Sequence, residues 1–325
     1  MTIANDARQL IDLAAQKKFS DLLFKPNTDG WKLLGRTVLT THLIRQLSIT
    51  DGQALINYFK FNAQMDLSEH RRPQIGAWHY RTADLTIDLR LATVGDFLNH
   101  ESMVVRLLSR NANECEFINP QRYDQLQRLL SKRGLFLFAG PTGSGKTTLM
   151  YHLAQQLSTT KTVLSIEDPT EIVAPNFIQL QVNNDAQMSY GELLKISLRL
   201  RPDILIIGEI RDDQTAKMAV QAALSGHLVL ATVHARTSGG VIQRMIDLGV
   251  SQTSLSNALT GCCYQRLILT TDQAMKVALD LLSPTEMASL IAHPRSKLFN
   301  WQADLQEAQQ NGEITATTLA EYQDG

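Results

Sequence analysis

The segment Gly140-Pro-Thr-Gly-Ser-Gly-Lys-Thr147 fits the pattern G-x-x-x-x-G-K-[ST]. Residues of these types at this spacing make a cradle for a polyphosphate. Gly143 and Gly145 let backbone amides turn inward around phosphate oxygens, and the helix expected over Thr148–Leu157 adds the field of its N-terminus. Lys146 supplies a point charge for the β- and γ-phosphates, and Thr147 offers a hydroxyl ligand for Mg²⁺. Gly140, Pro141, Thr142 and Ser144 complete the loop as nucleotide-binding candidates. ATP and Mg²⁺ are the expected substrate and ion.

A cradle alone hydrolyses nothing. A group that orients or deprotonates water, and a carboxylate for the metal, must stand at the C-terminal ends of neighbouring strands. Two acidic positions qualify. Glu167 and Asp168 close the apolar run Val163–Ile166, with Glu171 shortly after, and Glu209 follows the run Ile204–Ile207. A carboxylate at a strand end is often only a cap. Two of them in step with a phosphate loop favour a site.

The elements that must position these groups alternate. Leu135–Phe138, Val163–Ile166, Ile204–Ile207 and Leu228–Val233 read as short buried strands. Between them lie helical stretches. One opens on Ser189-Tyr-Gly-Glu192, which reads as a capping box, and another runs Asp213–Leu224 and stops at Gly226. The fold class is therefore α/β with a mainly parallel sheet over residues 122–282. A helical tail, 283–325, opens on Ser283-Pro-Thr-Glu286, with Trp301, Leu305 and Ala308 on one apolar face. Ahead of it, residues 1–109 read as a smaller α+β (PAS-like) domain. It has a helix over 5–17 that starts at Asn5 and Asp6, and a hairpin at Asn27–Gly30 joining Asp21–Lys25 to Trp31–Leu39. Two further strands follow at Leu85–Leu91 and Ser102–Leu108. Polar residues 110–121 serve as the linker.

Four blocks in order resemble the motifs of the secretion and type IV pilus ATPase superfamily, the traffic ATPases. They are the phosphate loop, Ile166-Glu-Asp-Pro-Thr-Glu171, Ile206-Ile-Gly-Glu-Ile-Arg-Asp212, and Gly226-His-Leu-Val-Leu-Ala-Thr-Val-His234. The likeness extends to Gln265-Arg-Leu267 and, more weakly, to Ser20–Pro26 and Arg71–Gln74. It implies a RecA-like domain in which Glu167 polarises the attacking water and Glu209 is the Walker B acid for Mg²⁺. His234, supported by His227, would sense the γ-phosphate and link it to a neighbouring subunit. Arg90 and Arg106 resemble arginines that reach a nucleotide from the N-terminal domain, where the plain alternative is a salt bridge on a strand surface. Leu23 stands where the family often has histidine, and Arg201 replaces the first acid of a common Asp-Pro-Asp, with Asp203 retained.

The resemblance implies a homohexameric ring acting on an integral membrane platform protein. With no four-cysteine zinc module and no extra docking domain, the chain looks most like the competence ATPases of Gram-positive bacteria. Those drive assembly of a pilus-like fibre for DNA uptake. A retraction motor of the same superfamily and a nucleic-acid translocase or recombinase are the alternatives.

Length and composition are consistent with this reading. The chain has 325 residues, 44% hydrophobic and 19% charged, which suits two globular domains. Its formal charge is −1, with 14 basic and 13 acidic residues in 1–118, so a strongly basic DNA-binding domain is excluded and no sequence-specific nucleic-acid contact is expected. No apolar run approaches the ~18 residues that span a bilayer, and the first residues carry no secretory pattern. The three cysteines, Cys115, Cys262 and Cys263, suit reduced thiols in a cytosolic chain peripheral to the membrane.

Overall fold

Period-two alternation builds the first of two units, Met1–Arg110. In the computed structural model, residues 2–37, 40–82, 85–108, 115–183, 186–294 and 301–323 are described. Val38 and Leu39 of the expected hairpin, residues 110–114 of the expected linker and residues 295–300 and 324–325 of the expected tail lie outside them. Helix α1 (Ile3–Gln16) leads into β1 (Asp21–Asn27), β2 (Gly30–Arg36) and β3 (Thr41–Leu47), followed by α2 (Ile49–Asn62), β4 (Gln74–Arg81), β5 (Thr86–Gly95) and β6 (Glu101–Leu108). The strands form one sheet in the order β3-β2-β1-β6-β5-β4, every pair antiparallel. Leu22, Phe24, Leu33, Leu89, Leu91 and Val105 share a core with Leu10 and Ile11 of α1 and Leu55, Ile56 and Phe59 of α2. The expected hairpin and the strands near 85–91 and 102–108 are present.

Helix α1 starts earlier than the Asn5–Asp6 pair suggests. Its N-cap is Thr2, whose hydroxyl accepts from the Asn5 amide, and the Asp6 carboxylate is instead used by Arg45 at 2.7 Å. Helix α2 has no counterpart in the sequence reading because one of its buried positions is a lysine. Lys60 donates to the Glu69 carbonyl at 2.6 Å and to the Glu101 carboxylate at 2.9 Å, both side chains being fully buried.

The second unit, Asn111–Gly325, runs α3 (Pro120–Leu130), β7 (Gly134–Ala139), α4 (Lys146–Leu157), β8 (Val163–Glu167) and β9 (Ile178–Gln181). It continues through α5 (Tyr190–Arg199), β10 (Ile204–Ile210), α6 (Asp213–Leu224), β11 (Leu228–Val233), α7 (Ser238–Asp247), α8 (Gln252–Ala258) and β12 (Leu259–Leu269). Last come β13 (Met275–Leu281), α9 (Pro284–Ala292), α10 (Gln302–Gln310) and α11 (Ala316–Tyr322). The sheet order is β13-β12-β7-β11-β10-β8-β9, parallel throughout except for the β12–β13 pair.

Two cores cover the two faces of this sheet. Leu135, Leu137 and Ala139 point into one and Phe136 and Phe138 into the other, so β7 is apolar at every position. Adjacent Cys262 and Cys263 separate in the same way, one to each face, which keeps them from bonding to each other. Trp301, Leu305 and Ala308 of the tail join the first of these cores, as their spacing predicts. Residues 116–118, expected as linker, run along β13: Val277 donates to the Glu116 carbonyl at 2.7 Å and Ile118 donates back to Val277 at 2.9 Å.

Capping is mixed. Ser283 and Glu286 form the complete box at α9. At α5 only half of it forms, since Ser189 accepts from the Glu192 amide while the Glu192 carboxylate is drawn to Lys195 at 2.6 Å. Asp212 caps α6, and Gly226 takes a left-handed φ of 96° past its end.

Candidate nucleotide site

Strand β7 lies between β11 and β12, and the parallel register aligns the C-terminal ends of β7, β8, β10 and β11 at one edge. The phosphate loop leaves β7 there and enters α4. Gly143 and Gly145 adopt φ of 80° and 82°, as an inward-turned loop requires. Helix α4 has Gly145 as its N-cap and hence no side-chain cap, which leaves its first amides for a ligand.

Lys146 folds over the loop, donating to the carbonyls of Gly140 at 2.9 Å and Pro141 at 2.8 Å. Burial lowers its pKa, while the charges of Glu209 and Glu171 work the other way. An ammonium held by two loop carbonyls is a donor suited to phosphate oxygens. A Cβ added at Gly143 would meet nothing within 4 Å, so the loop is open on that side. These residues therefore suit a nucleotide. Thr147, in the first turn of α4, and Glu209 are groups that would hold Mg²⁺.

Glu167 is buried at the end of β8. Its carboxylate accepts from the Tyr151 hydroxyl and from Ser165 Oγ at 2.8 Å, and Tyr151 in turn accepts from Gln179 at 3.0 Å. Burial raises the Glu167 pKa, partly offset by the hydrogen bonds from Tyr151 and Ser165. Gly208 on the adjacent strand makes room, because a Cβ there would stand 3.2 Å from Glu167 Cγ.

Glu209 engages both oxygens: Arg211 on one at 2.7 Å and His234 Nε2 on the other at 3.1 Å. Two of the boxes thus meet at the Glu209 carboxylate. His227 lies elsewhere. It precedes β11 whereas His234 follows it, and six strand residues separate them by about 20 Å. The His227 ring contacts the Pro202 carbonyl at 2.7 Å, at the opposite edge of the sheet. The spacing that pairs two histidines in sequence sends them to opposite ends of a strand.

Arg90 and Arg106 belong to the first unit, where they are direct cross-strand partners on β5 and β6. Arg106 Nε also donates to the buried Asp21 carboxylate at 2.8 Å, the strand-surface salt bridge that was its plain alternative. Three residues not singled out in the sequence stand in the site. Ser165 is two positions before Glu167 and so on the same strand face, and Tyr151 is one helical turn past Thr147. Arg211 follows Glu209 by two. Counting by two from the motif carboxylates reaches Ser165 and Arg211, whereas the meeting of Tyr151 with Glu167 is a product of the fold. A cleft of about 720 Å³ lined by Arg122, Gln125, Lys132, Leu281, Ser283 and Glu286 shares no residue with the loop.

Fold and site together define a P-loop ATPase. Residues 2–322 match the family described as "Type II/IV secretion system protein", and the chain belongs to it. It is 44% identical over 262 residues to the competence protein ComGA of Streptococcus pneumoniae, covering 81% of this chain and 83% of that one. It is also 40% identical over 221 residues to the type II secretion system protein HxcR of Pseudomonas aeruginosa. That match takes in 66% of this chain and about half (47%) of the relative. Among solved structures, the Legionella pneumophila ATPase DotB superposes with a TM-score of 0.77 over 99% of this chain and 95% of its own. At 20% identity, that likeness speaks for the fold.

Proposed function

We propose that this chain is an ATP-hydrolysing motor that powers assembly of a pilus-like fibre for DNA uptake. The observation that carries the reading is a complete phosphate-loop site in a chain 44% identical to a competence protein along four fifths of its length. In this reading Glu167 orients and deprotonates the attacking water. Its burial supports that role, since a raised pKa makes a stronger base. Lys146 and the loop amides hold the β- and γ-phosphates. Thr147 and Glu209 hold Mg²⁺, which supplies charge neutralisation on the phosphates when bound. His234, paired with Glu209, reports the state of that carboxylate to its surroundings.

The motor works as a homohexameric ring at the cytoplasmic face of the membrane, with Arg90 and Arg106 serving a neighbour's nucleotide. Its stroke biases two packed arrangements of its units and passes to an integral membrane platform protein. No helix among the described residues is long and apolar enough to cross a membrane, so attachment comes through that partner. The test is a deletion strain complemented with the wild-type gene or with Lys146→Ala. Loss of both pili and transformation, restored only by the wild type, is the expected result. Long uncleared pili would instead assign retraction. ATPase activity raised many-fold by single-stranded DNA would assign translocation.

A further inference from the structure

Strand β12 runs beside the phosphate loop, and Tyr264 is in register with Ala139, the last residue of β7. The next residue, Gln265, therefore lies alongside the start of the loop. The backbones approach so closely that a Cβ on Gly140 would stand 2.4 Å from the Gln265 carbonyl. Gln265 is fully buried in a strand otherwise rich in apolar residues. Its side-chain amide donates to the Ser144 carbonyl at 2.7 Å, a bond that spans 121 residues of sequence. A carbonyl only accepts, so the atom facing it is the amide nitrogen.

We propose that Gln265 is a positioning residue of the phosphate loop: by anchoring the Ser144 carbonyl it sets the Ser144–Gly145 peptide plane, and with it the direction of the Gly145 amide toward phosphate. A trans peptide is planar, with its C=O and N–H antiparallel. Turning the carbonyl toward β12 turns the Gly145 N–H away from β12. Ser144 and Gln265 are both buried, so water has no access to replace the donor. This inference rests on the nucleotide reading of the loop. Because Gln265 touches the loop and not the reacting atoms, its contribution is to binding shared by ground state and transition state.

The test measures ATP and ADP binding and steady-state hydrolysis on the full chain. Gln265→Met keeps the volume and removes the donor. It is expected to weaken both nucleotides about tenfold, the consequence of one buried carbonyl left without its partner, with kcat at saturating ATP within about threefold of wild type. Gln265→Glu provides an independent arm. A protonated carboxyl donates to the Ser144 carbonyl and a carboxylate cannot, so its deficit relative to wild type grows as pH rises through the pKa of the introduced carboxyl, which burial raises. Wild-type affinity in Gln265→Met, or a Gln265→Glu deficit that stays the same as the introduced carboxyl titrates, as general misfolding would give, overturns the proposal. A wild-type chain that binds neither nucleotide overturns the nucleotide reading itself.

Discussion

Glu167 is subject to two opposed influences: burial holds its proton on, and the hydrogen bonds from Tyr151 and Ser165 favour the charged form. Burial is the larger, so this carboxyl titrates above the ordinary range. Water activation needs the carboxylate, so kcat falls as pH drops through that raised value. Tyr151→Phe removes a bond that lowers the pKa. The acid limb of the kcat–pH profile should therefore move to higher pH, and a limb that stays or moves lower would exclude Glu167 as the base. Glu167→Gln should reduce kcat by about 10² or more while the ATP dissociation constant stays within about twofold, measured by single-turnover kinetics and equilibrium binding. The same raised pKa acts on folding. The folded chain holds this proton more tightly than the unfolded one, so Glu167 favours the fold below its unfolded value, and that advantage is lost as pH rises through the folded one. Glu167→Gln should accordingly gain melting temperature relative to wild type toward alkaline pH. The carboxylates were legible in the sequence because each ends an apolar run. Their partners were less so, since Tyr151 meets Glu167, and Gln179 meets Tyr151, only once the fold brings α4 and β9 to β8.

At the scale of elements, legibility follows burial. Strands β7, β8, β10 and β11 are short continuous apolar runs next to the motifs, and all four stood out. Strand β12 did not, although it is the longest in its sheet. Thr260, Gln265 and Arg266 break its apolar run, and its register with β7 shifts between Leu259 and Gly261. In β4, Gln74, Gly76, Ala77 and His79 dilute the apolar signal, and only Tyr80 is buried. The shift in β12 fits Gly261 closely. A Cβ there would stand 2.2 Å from the Phe136 ring, which itself packs on Phe138 at a centroid distance of 4.9 Å. The ring is fully buried. Gly261→Ala should cost about 1–3 kcal/mol by overpacking, read as a lower urea midpoint with an unchanged m-value. A midpoint equal to wild type would show that β12 can shift register to relieve the contact.

At the scale of the whole molecule, the chain joins a phosphate-loop unit to a unit with its own core, and the arginines read as fingers lie in the second of these descriptions, not the first. Arg90 and Arg106 are cross-strand partners on β5 and β6, and Arg106 also pairs with Asp21. If Arg90 serves a neighbour's phosphates, the defect of Arg90→Ala and that of Lys146→Ala sit on opposite sides of one subunit interface. Each variant alone should be inactive. Mixed in equal amounts and allowed to exchange subunits, they should recover activity. Wherever an Arg90→Ala protomer presents its intact loop to the intact arginine of a Lys146→Ala protomer, one functional site is rebuilt. Random mixing in a closed ring gives about a quarter of the interfaces that composition. If Arg90 acted within its own chain, every protomer in the mixture would still carry one lesion in its own site, and the ATPase rate would stay at the level of the separate variants.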